Sequence, residues 1–112
     1  MNMGTTKTED YSVKEMSISK YAKAFSHPAR IAILNVLLKR QSCICGAIVE
    51  ELPLSQSTVS QHLKELKSAG LINGDIEGAS VCYCIDEKEW KKAQQYWNEF
   101  FEKFNISKMK CC

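Results

Sequence analysis

Several things are scarce in this chain of 112 residues. No segment approaches the ~18 consecutive apolar residues that a membrane span needs. The opening stretch "MNMGTTKTED" is polar and lacks the apolar core of a secretion signal. Together these absences predict a cytoplasmic protein with no membrane partner. Excess charge of one sign is also lacking: the net charge is only +2, which permits nucleic-acid binding without arguing for it. Near-neutral acid–base groups are limited to His27 and His62, and no nucleophile–base pair, glycine-rich phosphate loop or carboxylate dyad appears. An enzyme is therefore not expected. There is no internal repeat, low-complexity tract or interdomain linker, and the length suits one domain with a single modest core.

What the chain does have is thiols. Its six cysteines fall into three pairs, 43/45, 82/84 and 111/112. Without a secretion signal they are expected to be reduced, so the clustering points to thiol or metal chemistry rather than a disulfide framework.

Residues 1–10 read as a flexible tail. From Ser12 the pattern becomes helical, with Ile18, Tyr21, Ala22 and Phe25 along one stripe. Ser26 and Pro28 punctuate it, and Pro28 suits the first turn of a second helix, to about Lys39, that is apolar on nearly all sides. A third helix is expected from about Ile44 or Gly46 to Leu52, ended by Pro53. A fourth opens in a Ser/Gln cluster and stops at Gly70. Val59, Leu63 and Leu66 form its core stripe, while Ser57, Ser60, Gln61 and Lys64 fall on the opposite side at ~100° per residue. A short, neutral, hydrogen-bonding face suits a helix lying in the DNA major groove, although a merely solvated face gives the same pattern.

"LINGDI" and "SVCYCI" then read as a β-hairpin, Val81, Tyr83 and Ile85 alternating with Ser80, Cys82 and Cys84. From Glu87 to about Phe104, Trp90, Ala93, Trp97, Phe100, Phe101 and Phe104 form an apolar stripe richer in aromatics than one small domain easily buries. A homodimer interface would use them, as would packing within the monomer. The expected fold is mainly α with a small β-hairpin, a winged helix-turn-helix in the order α-α-α-α-β-β-α. The domain spans residues 11–106, with a cysteine-containing tail at 107–112.

The runs "AFSHPARIAILNVLL", "LPLSQSTVSQHLKELKSAGLI" and "EGASVCYCI" resemble the ArsR/SmtB family of small winged-helix repressors, over about Phe25 to Trp90. The resemblance implies a homodimer through the first and last helices. It also implies a double-stranded operator DNA with an inverted repeat as partner, released when an inducer binds. Carried over residue by residue, the DNA-reading positions are Gln56, Ser57, Thr58, Ser60, Gln61 and Lys64. Lys67 is placed for the phosphate backbone, with Arg30, Lys39 and Arg40 as further candidates. His62 lies beside the apolar stripe, where packing competes with a phosphate role. The wing departs from the family pattern, offering Asn73, Asp75 and Glu77 where relatives commonly carry basic residues. Carboxylates there would repel phosphate.

Cys43-Ile44-Cys45 resembles the Cys-x-Cys of the family's thiolate-binding members, at the start of the helix preceding the reading helix. A helix N-terminus would favour the thiolates. The position of a third cysteine in some arsenic-responsive relatives is occupied here by Ile48, so Cys111 and Cys112 are candidates for the missing ligand. No cofactor is required. The expected inducer is arsenite, followed by Cd(II), Pb(II) or Zn(II), and the histidine spacing of the family's zinc sites is absent from the last helix. Two other readings stay open. One is a thiol-redox or persulfide-sensing repressor using the same cysteines; the other is a metalloid-binding or protein-interaction module without DNA binding. Cys82 and Cys84 are as readily incidental as functional.

Overall fold

The computed structural model describes residues 10–46, 52–75, 82–104 and 108. The first helix, α1 (Val13–Ala24), opens on a capping box. The Ser12 hydroxyl accepts from the Glu15 amide at 3.0 Å, and the Glu15 carboxylate accepts from the Ser12 amide at 2.9 Å. Of its predicted stripe, Tyr21 is buried and Ile18 and Phe25 are half-buried, whereas Ala22 is exposed and Ala24 takes the buried place. The second helix, α2 (Pro28–Arg40), begins at Pro28, with His27 as its cap: its Nδ1 accepts from the Ala29 amide at 3.0 Å. Ala29, Ile33, Leu34 and Leu37 face the core, while Ile31 is 41% exposed. The helix is thus buried on one side rather than all round, because a domain this small covers only one flank of it.

The expectation of a third helix starting near Ile44 is corrected. Ile44–Cys45 form a short strand, β1, and residues 47–51 lie outside the described residues. Extended backbone there lets Ile44 point into the core beside Tyr83 while Cys43 and Cys45 face outward. The pairing partner lies about forty residues away, so no local pattern announces it.

The next helix, α3 (Gln56–Ser68), is the predicted reading helix. Ser55 caps it, and Val59, Leu63 and Leu66 enter the core as expected. It stops at Gly70, whose φ of +82° belongs to the left-handed region that glycine adopts most easily. The hairpin strands are β2 (Ile72–Asp75) and β3 (Cys82–Ile85), and the connection 76–81 lies outside the described residues. With β1 they form an antiparallel sheet in the order β1-β3-β2. At Gly74 the strands approach so closely that a Cβ would fall 2.1 Å from the Cys82 carbonyl oxygen.

The last helix, α4 (Glu87–Glu102), is capped by Asp86, whose carboxylate accepts from the Glu89 amide at 2.9 Å. It packs along α1. Glu89 accepts from the Tyr21 hydroxyl and pairs with Lys20 at 3.5 Å, and Lys14 pairs with Glu99 at 3.3 Å. One core joins Tyr21, Ile33, Leu37, Ile44, Leu63, Leu66, Leu71, Ile72, Tyr83 and Ala93. Among the described residues no helix is long and apolar enough to cross a membrane.

Candidate nucleic-acid interface and thiol site

The predicted reading face lies at the start of α3. Gln56, Ser57, Thr58, Gln61 and Lys64 are exposed and Ser60 is half-buried, so the six predicted DNA-reading residues lie on one accessible flank. Some of their hydrogen-bonding capacity is already committed. Ser55 Oγ donates to Thr58 Oγ1 at 2.9 Å, lies 3.2 Å from Ser57 Oγ, and accepts from the Thr58 amide. This knot of hydroxyls holds the first turn rigid, and it leaves Gln56 and Gln61 as the amide-bearing side chains at the exposed surface.

Behind that face the helix is anchored by residues that sequence reasoning offered to DNA. Arg30 donates from Nε to His62 Nδ1 at 3.2 Å and from Nη1 to the Lys23 carbonyl at 2.8 Å, joining the end of α1 to α3 across α2. His62 is buried, with its ring centroid 4.4 Å from that of His27. Burial holds its pKa below the ordinary imidazole value, helped by the neighbouring His27 and Arg30 charges, and the neutral ring can then accept the Arg30 bond. Lys67, expected on phosphate, donates to the Gly74 carbonyl at 2.6 Å and ties α3 to β2. Asn73 donates to the Asp86 carboxylate at 2.8 Å, so it stabilises the start of α4. Glu77 lies outside the described residues.

The second site is the outward face of the sheet. Cys43 and Cys45 are two residues apart on or beside β1, and Cys82 and Cys84 are two apart on β3, so strand alternation puts all four on one side. Cys43 is bonded to Cys84 and Cys45 to Cys82, with Cα–Cα distances of 4.2 and 4.0 Å. Such short separations belong to the pairs of an antiparallel ladder where facing side chains come closest. Cys43 and Cys45 are exposed and Cys82 and Cys84 half-buried. Two expectations change accordingly. Cys43 and Cys45 lie beside and on a strand rather than inside the first turn of a helix, because the backbone at Ile44–Cys45 is paired in a sheet. Cys82 and Cys84 are no bystanders, because they are the partners of the first pair. The signal for this was the repeated Cys-apolar-Cys spacing, each motif sending its middle residue, Ile44 or Tyr83, into the core.

With these bonds formed, no group of three or more His, Cys, Asp or Glu side chains among the described residues is arranged to hold a metal ion. Cys111 and Cys112 lie outside the described residues, as does Ile48. Beside the Cys43–Cys84 bond opens a cleft of about 570 Å³ between the end of α2 and the first half of α4.

Comparison with known proteins agrees with the helix-turn-helix geometry. Residues 27–74 match the family described as bacterial regulatory protein, arsR family. An HTH-type transcriptional regulator of Methanocaldococcus jannaschii is 40% identical over 68 residues, 59% of this chain and 75% of that protein. The transcriptional repressor PagR of Bacillus anthracis is 32% identical over 80 residues, 69% of this chain and 80% of the relative. The HTH-type transcriptional repressor SmtB of Mycobacterium tuberculosis is 43% identical over 61 residues, 54% of this chain but only 44% of that longer protein. The helix-turn-helix core, the exposed α3 flank and these matches agree: the chain belongs to the arsR family of transcriptional regulators.

Proposed function

We propose that this protein is a DNA-binding transcriptional repressor whose hold on its operator is governed by the state of the four cysteines on the β1–β3 face. The observation that carries this reading is the double cross-strand pairing of Cys43 with Cys84 and Cys45 with Cys82. Strand β1 follows α2 directly and leads toward α3, while β3 returns from the wing. The sulfurs therefore join the two segments that flank the reading helix. Making or breaking the bonds changes how firmly β1, only two residues long, is held against β3, and with it the seating of α3. A coupling of ~1–3 kcal/mol is enough to alter operator occupancy several-fold or more.

A second reading uses the same sulfurs in reduced form. Four thiols on one exposed strand face are a soft donor set for a thiophilic ion, with arsenite the first candidate and Cd(II), Pb(II) or Zn(II) after it. The facing of the two Cys-x-Cys motifs favours it, because β3 supplies the further thiolates expected of Cys111 and Cys112. Dimerisation belongs to this proposal as well. Phe100, Phe101 and Phe104 on and just beyond α4, and Tyr11, Val13 and Met16 at α1, are exposed large hydrophobics on the two helices expected at the interface.

Binding of the protein's own promoter DNA, measured by fluorescence anisotropy on oxidised and fully reduced samples, tests the reading. A difference in affinity of about tenfold or more between the two supports thiol control. Equal affinity in both, with release only on adding arsenite to the reduced sample, favours the second reading.

A further inference from the structure

The two cross-strand bonds are chemically alike but differently placed. We infer that the cleft beside Cys43 is a binding site for a low-molecular-weight thiol, and that Cys43 is the sulfur this thiol attacks. This inference rests on the thiol-control reading above.

The cleft has an apolar floor of Leu37, Leu38, Ile85 and Trp90, and its polar lining includes Lys91 and Gln94. Its volume of about 570 Å³ lies within the range of small-molecule sites, ~300–1,000 Å³. The charged groups of the lining, Lys91 and Glu87, pair at 3.0 Å, and Gln94 offers an amide to a polar ligand. Cys43 and Cys84 line this cleft, whereas Cys45 and Cys82 do not. A thiol gathered there meets one disulfide and not the other.

Thiol–disulfide exchange depends on which sulfur can be reached, with the attacking thiolate approaching opposite the departing sulfur. In the order β1-β3-β2, β1 is an edge strand. An approach to the Cys43 sulfur comes from beyond that edge, where no further strand among the described residues lies. The corresponding approach to Cys84 comes from the β2 side, where Asn73 stands opposite it in register and is bound to Asp86. Cys43 is also exposed while Cys84 is half-buried.

The step balances with the thiol itself as the reductant. The thiolate sulfur forms a bond to Cys43 Sγ, the Cys43–Cys84 bond breaks, and its electron pair leaves on Cys84 Sγ as a thiolate that takes a proton from water. A second thiol attacking the ligand's sulfur in this mixed disulfide releases Cys43 as a thiol and carries away the oxidised dimer of the ligand. The cross-link is then reduced by two electrons.

Glutathione is a suitable probe. Oxidised full-length protein is exposed to a range of glutathione concentrations, quenched by acid and mapped by mass spectrometry. Adducts are expected on Cys43 at least about tenfold faster than on Cys45, Cys82 or Cys84, with a rate that saturates as a bound ligand requires. Gln94→Trp, an exposed substitution that fills the cleft, should remove the preference while leaving the slow reaction at Cys45–Cys82 unchanged. Equal, unsaturated rates at both bonds, or adducts mainly on Cys84, would overturn the inference and leave thiol control intact. Absence of both bonds from the oxidised protein would overturn the inference and the redox reading together.

Discussion

Cys45 and Cys82 face each other in register across the β1–β3 ladder, with their Cα atoms 4.0 Å apart and 37 residues of chain between them. Closing a loop of that length removes about 4 kcal/mol of freedom from the unfolded chain in the entropic model. The Cys43–Cys84 bond encloses the same loop, so it adds less. Reduction should lower unfolding stability by roughly 3–5 kcal/mol. A denaturant titration with and without reductant checks this, and overlapping curves would remove the bonds from the stability account.

The amide of Gln61 stands exposed on the flank of α3 proposed to read DNA. Gln61→Ala should weaken operator binding by ~1–3 kcal/mol with little change for unrelated DNA, as expected for a side chain that reads a base edge. Lys64→Ala should weaken both alike and reduce the slope of log affinity against log salt by about one. Identical losses on operator and unrelated DNA in the Gln61 variant would reassign it to the backbone.

His62 makes stability depend on pH. Its folded pKa lies below the unfolded value through burial first, then His27 and Arg30. Stability from this source is therefore full above the unfolded value of ~6.5 and is lost as pH falls through the folded pKa. Thermal melts at descending pH from 7.5 should show a steady fall below about 6.5 that is weaker in His62→Gln. A variant with the same acid slope as the parent would place the effect elsewhere.

Phe101 is 67% exposed and Phe104 60%. If these rings are the dimer seam, the pair of changes Phe101→Lys and Phe104→Lys should shift sedimentation from dimer to monomer while circular dichroism stays unchanged. Monomeric parent protein at micromolar concentration would end the dimer proposal.

Gly74→Ala is expected to cost more than about 2 kcal/mol, since the added carbon would meet the Cys82 carbonyl at a φ of +126°. Because Gly74 lies beside β3, the same change should slow formation of the Cys45–Cys82 bond, read by quenched refolding and thiol trapping.

Local patterns were good guides where the structure is local. Ser12, Pro28, Ser55, Gly70 and the Val59, Leu63 and Leu66 stripe announce the helices and their ends, since caps and periodicity act over a few residues. The exposed flank of α3 followed from the same geometry. Strand β1 did not show itself, because two residues carry no period and its stability comes from Tyr83 and Cys82 far along the chain. The roles of Arg30, Lys67 and Asn73 were hidden for a related reason. Each was read as a surface group, whereas the fold gives each an acceptor on another element at 3.2 Å or less.

The path of the chain adds one consequence. From Cys45 to Cys82 the polypeptide closes on itself, making a covalent ring that holds all of α3 and β2, while α1, α2 and α4 remain outside it. A single proteolytic cut within that ring would not part the oxidised protein into two pieces. Its ends can fray while α3 stays tethered at both shoulders, and the chain loses that tether only when both bonds are reduced.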